Sequence, residues 1–456
     1  RLAARGTVYE NMFVQSPVSL TSRACMWTSR YLRNLDMANG CPVLDPREAT
    51  LPEVLQRAGY RTGVFGKLHV TPQQYAAETL KADRLINDAG PFMEAAGYPA
   101  IPDDPAKRNY GFQDVVSFED TGALWGEYVE WLAQRDRALA EKAKRFHKEL
   151  WRSEFPGTTL ADVGVSDIPL ALHPSVFMAE SAAEFFTKNH QQSPCFLNLS
   201  FVDPHHPFDP PREMAAHYSP AEIPLPKYSD TGNVRWPEAL AKRMTGYSEL
   251  TKNHIQTATA YYYAMIETAD YAVGILLDAI ERAGQMENTV FAFIADHGEM
   301  LGHYGLWRKG AWHYDDLIRV PSFLSAPGQP GGQRMTVLTQ AIDMTPTLLA
   351  LAGAPVDARM QGENLLRATG RPWIYSEQYT TMWGPWISCW TLRTLTSKLN
   401  YYPTERIGHL FDLTTDPDER NDLWATQRSL RDEMVANLFQ SQQEQIGSWP
   451  RVISQY

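Results

Sequence analysis

Three times along this chain a helix-patterned stretch gives way to a short apolar run that stops abruptly in a loop of charged and imidazole side chains. TLPEVLQRAG at 50–59 is followed by YRTGVFGKLHV, SVFMAESAAEFFTKN at 175–189 by PCFLNLSFVDPHHPF, and TATAYYYAMIETADYAVGILLDAIERAG at 257–284 by TVFAFIADHG. Alternation of this kind selects an α/β fold with a mainly parallel sheet sandwiched by helices, because parallel neighbours need a crossover connection. Ligands of open α/β sheets gather beyond the carboxyl ends of the strands, so the three polar loops are expected at one edge, and the site with them.

The loops carry distinct chemistry. After the third strand come Asp296, His297 and Gly298, with Lys309 twelve residues beyond the histidine. Asp296 offers a hard oxygen and His297 an imidazole nitrogen to a cation. Gly66-Lys67-Leu68-His69 supplies an ammonium and an acid or base two residues apart, and Pro204-His205-His206-Pro207 adds further imidazole. The segment SPVSLTSRACMWTSRY at 16–31 places Ser19 and Arg23 near the start of a helix, where unpaired N–H groups favour anions. Singly, each residue has an ordinary role as a cap, a turn or a surface charge. Jointly they form the parts needed to transfer a tetrahedral oxyanion.

Other features bound the reading. A net charge of −11 argues against general nucleic-acid binding, which requires a positive surface field. Cys25, Cys41, Cys195 and Cys389 are too few and scattered for a disulfide scaffold, and reduced thiols are the simplest reading. No apolar stretch approaches the ~20 residues of a membrane span. The chain opens at Arg1 without an initiator methionine, and RLAARGTVYENMF reads as the middle of a helix followed by a strand. Upstream sequence is therefore expected, and a cytoplasmic, periplasmic or secreted location stays open. Residues 120–165 read as a charge-rich helical insertion whose basic run, Lys142 to Lys148, suits a solvated face, and 203–250 as a Pro-rich loop region. After about residue 370 strands and turns precede a helix from about Gln427 to Gln445, which suggests a catalytic domain over 1–370 and a small α+β domain over 371–456. Trp383, Trp386 and Trp390 suit buried packing better than ligand stacking.

Taken together, RLAARGTVYENMFVQSPVSLTSRA, GYRTGVFGKLH, the Pro-His-x-Pro element at 204–207, ADHGEMLGHYGLWRKG, IRVPSFL and FDLTTDPDERNDL resemble the type I, formylglycine-dependent sulfatases of the alkaline phosphatase-like superfamily. The arrangement is nearest to members carrying Asp-His-Gly, such as choline sulfatase-like and phosphonate monoester hydrolase-like enzymes. The resemblance implies hydrolysis of carbohydrate or small alkyl or aryl sulfate monoesters by a formylglycine made from Ser19 by a maturing enzyme. It implies that Arg23 steadies the site's oxygens, that Lys67 and Lys309 bind sulfate oxygens, that His69 assists breakdown of the sulfated hydrate, and that His205 protonates the departing alkoxide. Ser19, Asp296 and His297 are implied as ligands of a divalent metal: calcium by resemblance, with manganese, which imidazole suits better, and magnesium as alternatives.

Two departures stand out. Thr21 occupies the position where the family motif has proline, and the family's paired metal aspartates belong to a strand upstream of Arg1. Two other readings therefore accompany the sulfatase one: a phosphate or phosphonate ester hydrolase with unmodified Ser19 as nucleophile, and a non-catalytic member that only binds anions.

Overall fold

The computed structural model describes residues 2–39, 43–70, 108–119, 126–145, 151–155, 162–227, 250–310, 312–379 and 387–446. They fall into two compact units, neither a single run of sequence: residues 1–54, 290–299 and 309–456 form the first, and 55–289 with 300–308 the second.

In the first unit β1 (Thr7–Phe13) is followed by helix α1 (Ser19–Thr28). The strand is rich in residues suited to a pleated surface, and its last two, Met12 and Phe13, are wholly buried. It lies parallel to β10 (Gln333–Gln340) and antiparallel to β8 (Arg319–Val320) and β9 (Ser322–Ser325). The apolar run expected to end at Asp296 forms β7 (Phe291–Ile294), which pairs antiparallel with β9 through Phe291–Ser325 and Phe293–Phe323. The α/β expectation holds, and this sheet is mixed rather than parallel throughout. Strand direction depends on which distant segment lies alongside, which hydrophobic pattern does not encode.

A second sheet of this unit is an antiparallel meander, β11 (Ile374–Gln378), β12 (Cys389–Arg393), β13 (Ser397–Tyr402) and β14 (Ile407–Asp412), followed by a helix at Arg428–Ile446. These are the strands and helix expected after residue 370. Trp390 packs against Tyr401 and Phe439, with the Arg33 guanidinium over its ring; Trp383 and Trp386 lie outside the described residues.

Side chains on one face of the meander bind the segment 312–318, whose last four residues form a short helix. Lys398, fully buried, reaches Asp315 at 2.9 Å and Glu419 at 2.8 Å, and Arg393 reaches Asp315 at 3.1 Å. Thr391 donates its hydroxyl to Asn400 Oδ1 at 2.8 Å, so at 2.8 Å from His313 Nδ1 it accepts, and the imidazole proton sits on Nδ1. His313 is fully buried, and its pKa falls to about 3, first through burial and then through the positive charge of Lys398. The unfolded chain binds that proton near pH 6.5, so folding excludes it. The stability contributed is complete above pH 6.5 and is lost as pH falls toward 3, a loss on the order of 4 kcal/mol at full titration. Chemical denaturation across pH 7 to 4 should show this slope, and His313→Asn, which keeps a donor for Thr391, should flatten it; an unchanged slope would remove His313 from the account.

In the second unit β2 (Arg61–Gly66) lies between β3 (Asp114–Ser117) and β6 (Cys195–Ser200), all parallel. The helix before β6, α2 (Pro174–Asn189), starts with proline at its first position, and the His173 ring accepts from Ser175 N–H as its cap. Its inner face supplies Ala182 and Phe185 to a core with Phe65, while Phe177 and Met178 join Phe118, Tyr128 and Leu132. Tyr128 and Leu132 belong to α3 (Gly126–Arg135), which with α4 (Arg137–Arg145) makes the charge-rich insertion helical over 126–145 as expected, whereas further along it β4 (Trp151–Ser153), read as helical from the sequence, is a short strand that pairs antiparallel with β5 (Gly164–Ser166). Lys142 in α4 is exposed and lies 3.6 Å from Asp167, in keeping with a solvated face; Lys148 lies outside the described residues. The long helix α5 (Lys252–Arg282) is capped by Thr251, whose hydroxyl accepts from His254 N–H.

Cys25 and Cys195 are free thiols, Cys389 is buried beside the Thr391 hydroxyl, and Cys41 lies outside the described residues. Among the described residues no helix is long and apolar enough to cross a membrane.

Candidate active site

The first unit brings five of the eight candidate residues together. Ser19 is the first residue of α1, after Val18 in extended conformation, and is 1% exposed. Its Oγ lies 2.7 Å from His297 Nε2 and accepts from Lys309 Nζ at 3.2 Å, and the same ammonium lies 2.9 Å from His297 Nε2. The tautomer follows from the opposite side of the ring, where Nδ1 is 2.7 Å from the Gly298 carbonyl. A carbonyl only accepts, so Nδ1 carries the proton and neutral Nε2 presents its lone pair to Ser19 and Lys309. A hydroxyl, a bare imidazole nitrogen and an ammonium thus converge at a helix start. Such a group can polarise an oxygen at position 19 and hold negative charge beside it.

The neighbouring contacts hold Asp296. Arg23, one helical turn after Ser19, donates through Nε to Asp296 Oδ2 at 2.8 Å, and Ser22 Oγ donates to the Asp296 carbonyl at 2.6 Å. The spacing of Ser19, Ser22 and Arg23 puts all three on one side of α1. Gly298 has a steric reason: a Cβ there would lie 1.8 Å from the carbonyl oxygen of Asp316, while its own N–H donates to Leu317 O at 2.8 Å. The backbone leaving β7 therefore presses against the chain at 316–317, and that contact orients the two residues before it.

Asp296 and His297 have the right donor types for a divalent cation, but one carboxylate, one imidazole and one hydroxyl fall short of a hard cation's shell, and Arg23 already holds an Asp296 oxygen. Among the described residues no three of His, Cys, Asp or Glu group to hold a metal. These residues alone do not complete a metal site.

The other three candidates lie in the second unit. Gly66 and Ser200 are register partners, so the loops beginning at Lys67 and after Ser200 leave the same edge of that sheet. Gly66 has φ 108°, and a Cβ there would lie 2.0 Å from Ser200 O, which accepts from Lys67 N–H at 2.8 Å. Lys67 is buried, and His69 follows with φ 46°. In the other loop His205 Nδ1 lies 2.6 Å from the His206 carbonyl and therefore carries a proton. Asp203, at the base of that loop, accepts from Ser175 Oγ at 2.5 Å and lies 3.7 Å from the His173 ring, whose pKa burial lowers against the pull of that carboxylate.

Ser22 lies inside the 16–31 motif but shows its role only through its bond to the Asp296 carbonyl, and nothing local in the sequence marks the Ser175 contact to Asp203 or the close approach at Gly298.

With this geometry in view, similarity to known proteins is informative. The Sulfatase family profile matches residues 1–354, and one described as N-sulphoglucosamine sulphohydrolase, C-terminal, matches 302–445. Arylsulfatase K of Canis lupus familiaris is 24% identical over all of this chain and 81% of its own length. The crystal structure of the phosphonate monoester hydrolase of Agrobacterium radiobacter superposes with a TM-score of 0.78 at 20% identity, covering 97% of this chain and 90% of that one. A protein solved in complex with its substrate D-glucosamine-2-N,6-O-disulfate superposes at 0.68 with 18% identity, covering all of this chain and 94% of that one. At these identities the structures speak to the fold alone, which is that of the alkaline phosphatase-like enzymes. The family profile spans more than three quarters of the sequence, and on it the chain belongs to the sulfatase family and is a sulfuric ester hydrolase.

Proposed function

We propose that this enzyme cleaves sulfate monoesters through a formylglycine formed at Ser19, with sulfated carbohydrates as the favoured substrate class and small aryl sulfates as accessible surrogates. The observation that carries the reading is the Ser19 oxygen seated between His297 Nε2 and the Lys309 ammonium at the start of α1. The carbohydrate preference is supported by the neighbour solved with a disulfated glucosamine.

Sulfatases in general use a metal ion and a formylglycine. When bound, a divalent cation supplies Lewis-acid stabilisation of sulfate oxygens, and Ser19, Asp296 and His297 are this chain's candidate ligands for calcium, manganese or magnesium. In the proposed cycle a maturing enzyme's oxidant removes two hydrogens from Ser19, and the aldehyde hydrates. One hydroxyl of the hydrate gives its proton to His297 Nε2 as its oxygen attacks sulfur, and the bond from sulfur to the ester oxygen breaks. His205, as imidazolium, gives its Nε2 proton to the departing alkoxide. His69 then takes the proton of the remaining hydroxyl, the carbon–oxygen bond to sulfate breaks, and the aldehyde returns. Lys309 and Lys67 hold the peripheral oxygens, whose charge persists through the displacement, and Arg23 steadies the oxygens around Asp296. The roles of Lys67, His69 and His205 rest on motif match.

The 2.7 Å contact from Ser19 to a bare imidazole nitrogen favours one alternative, a phosphate or phosphonate ester hydrolase in which His297 takes the proton from unmodified Ser19. Peptide mass spectrometry of the segment containing Ser19, on protein made in its own host, separates the two. The expected result is loss of two hydrogens at Ser19, trapped by an aldehyde reagent, in molecules that release sulfate. Sulfate release by protein carrying only intact serine would sink the formylglycine step.

A further inference from the structure

Thr21, where the family motif has proline, joins a buried hydrogen-bond chain that leads away from the nucleophile helix to the four-stranded sheet. Gln378, the last residue of β11 and 1% exposed, accepts through Oε1 from Ser16 Oγ at 2.7 Å. The Ser16 proton is thereby committed, so in its 2.6 Å contact with Thr21 Oγ1 the serine accepts and the threonine donates. Ser16 Oγ also accepts from Val18 N–H at 3.3 Å, and the single Thr21 proton is shared between Ser16 Oγ and the Val18 carbonyl, to which the hydroxyl donates at 3.1 Å. Beside this chain the backbone N–H of Glu377 donates to Gln15 O at 2.8 Å.

The chain grips the residues on both sides of Ser19. α1 has no side-chain cap at Val18, so the ordinary device for fixing a helix start is missing. Ser16 and Thr21 replace it, tying the residue before Ser19 to the one two places after it, and Gln378 anchors the pair to a strand. We propose that Gln378 is a positioning residue for Ser19: acting through Ser16 and Thr21, it sets where the oxygen at position 19 stands relative to His297 and Lys309. This rests on the sulfatase reading for its catalytic consequence but not for its structural one.

The test uses Gln378→Leu, Gln378→Glu, which keeps an acceptor for Ser16, and Thr21→Val, which keeps shape and removes the hydroxyl. Hydrolysis of 4-nitrophenyl sulfate is measured per formylglycine-bearing molecule, alongside hydrogen exchange of peptides covering 16–24. Gln378→Leu and Thr21→Val should each lower kcat about tenfold with KM within about twofold, as expected when a reacting atom is displaced without loss of a substrate contact. Both should speed exchange at 16–24, and Gln378→Glu should recover most of both losses. Should Gln378→Leu fail to fold, Thr21→Val interrupts the same chain. A kcat within about twofold of wild type, a change confined to KM, or unchanged exchange in the folded variants would overturn the proposal. If wild type releases no sulfate, the sulfatase reading falls, and exchange alone decides whether Gln378 holds the helix start.

Discussion

Ser19→Ala is expected to abolish sulfate release, with a loss of kcat/KM on the order of 10³-fold or more, while the protein remains folded. The substitution removes only the oxygen that lies 2.7 Å from His297 and 3.2 Å from Lys309, at a buried position that accepts a methyl group without crowding. Every catalytic reading requires an oxygen at this atom, because the bond to sulfur or phosphorus is made there. Retained turnover would therefore remove Ser19 from the mechanism. An activity absent in both wild type and variant, with ligand binding intact, would mark an anion-binding protein. Ser19→Cys extends the test, since a maturing enzyme specific for serine would leave the cysteine unconverted and the variant inactive. Unfolding measurements on both variants should stay within about 1 kcal/mol of wild type, which separates lost chemistry from lost structure.

Gly298→Ala should be the most damaging small change in the candidate site. The added Cβ would stand 1.8 Å from the Asp316 carbonyl oxygen, a backbone atom that cannot rotate aside, and the clash must be relieved by moving β7's exit or the segment at 316–317. Overpacking of this kind costs about 3 kcal/mol or more when backbone has to shift. The Gly298 N–H bond to Leu317 and the seating of Asp296 and His297 depend on the same approach. A displacement of about 1 Å at His297 should lower kcat about a hundredfold in the molecules that still fold. Thermal unfolding with sulfate-release kinetics checks both parts. A variant with wild-type stability and turnover would mean that the backbone yields there freely, and the steric account of Asp-His-Gly would fail.

The candidate site was legible in the sequence to an uneven degree. Asp296, His297 and Lys309 stood out because an apolar run ending in polar residues marks a strand exit, whichever strand it pairs with. Ser19 and Arg23 stood out because their spacing fits one side of a helix start. The pairing of strands was less legible: the run before Asp296 was expected in a mainly parallel sheet, yet β7 lies antiparallel to β9. The contacts that seat the residues were not legible at all, since Gln378 lies 362 positions from the Ser16 hydroxyl it accepts from.

By itself the sequence determined what is local and repetitive. Helix and strand periodicity placed α1, α2, α5, β2, β6 and the strands of the carboxyl-terminal sheet, and the motif set identified the family. Only the tertiary structure decided which proton sits on which nitrogen of His297, why position 298 must be glycine, and how Thr21 is held without proline. The physical reason is that periodicity records which face of an element is buried. Hydrogen-bond partners and steric contacts are instead set by segments that meet after hundreds of intervening residues, and those meetings leave no periodic trace in the chain.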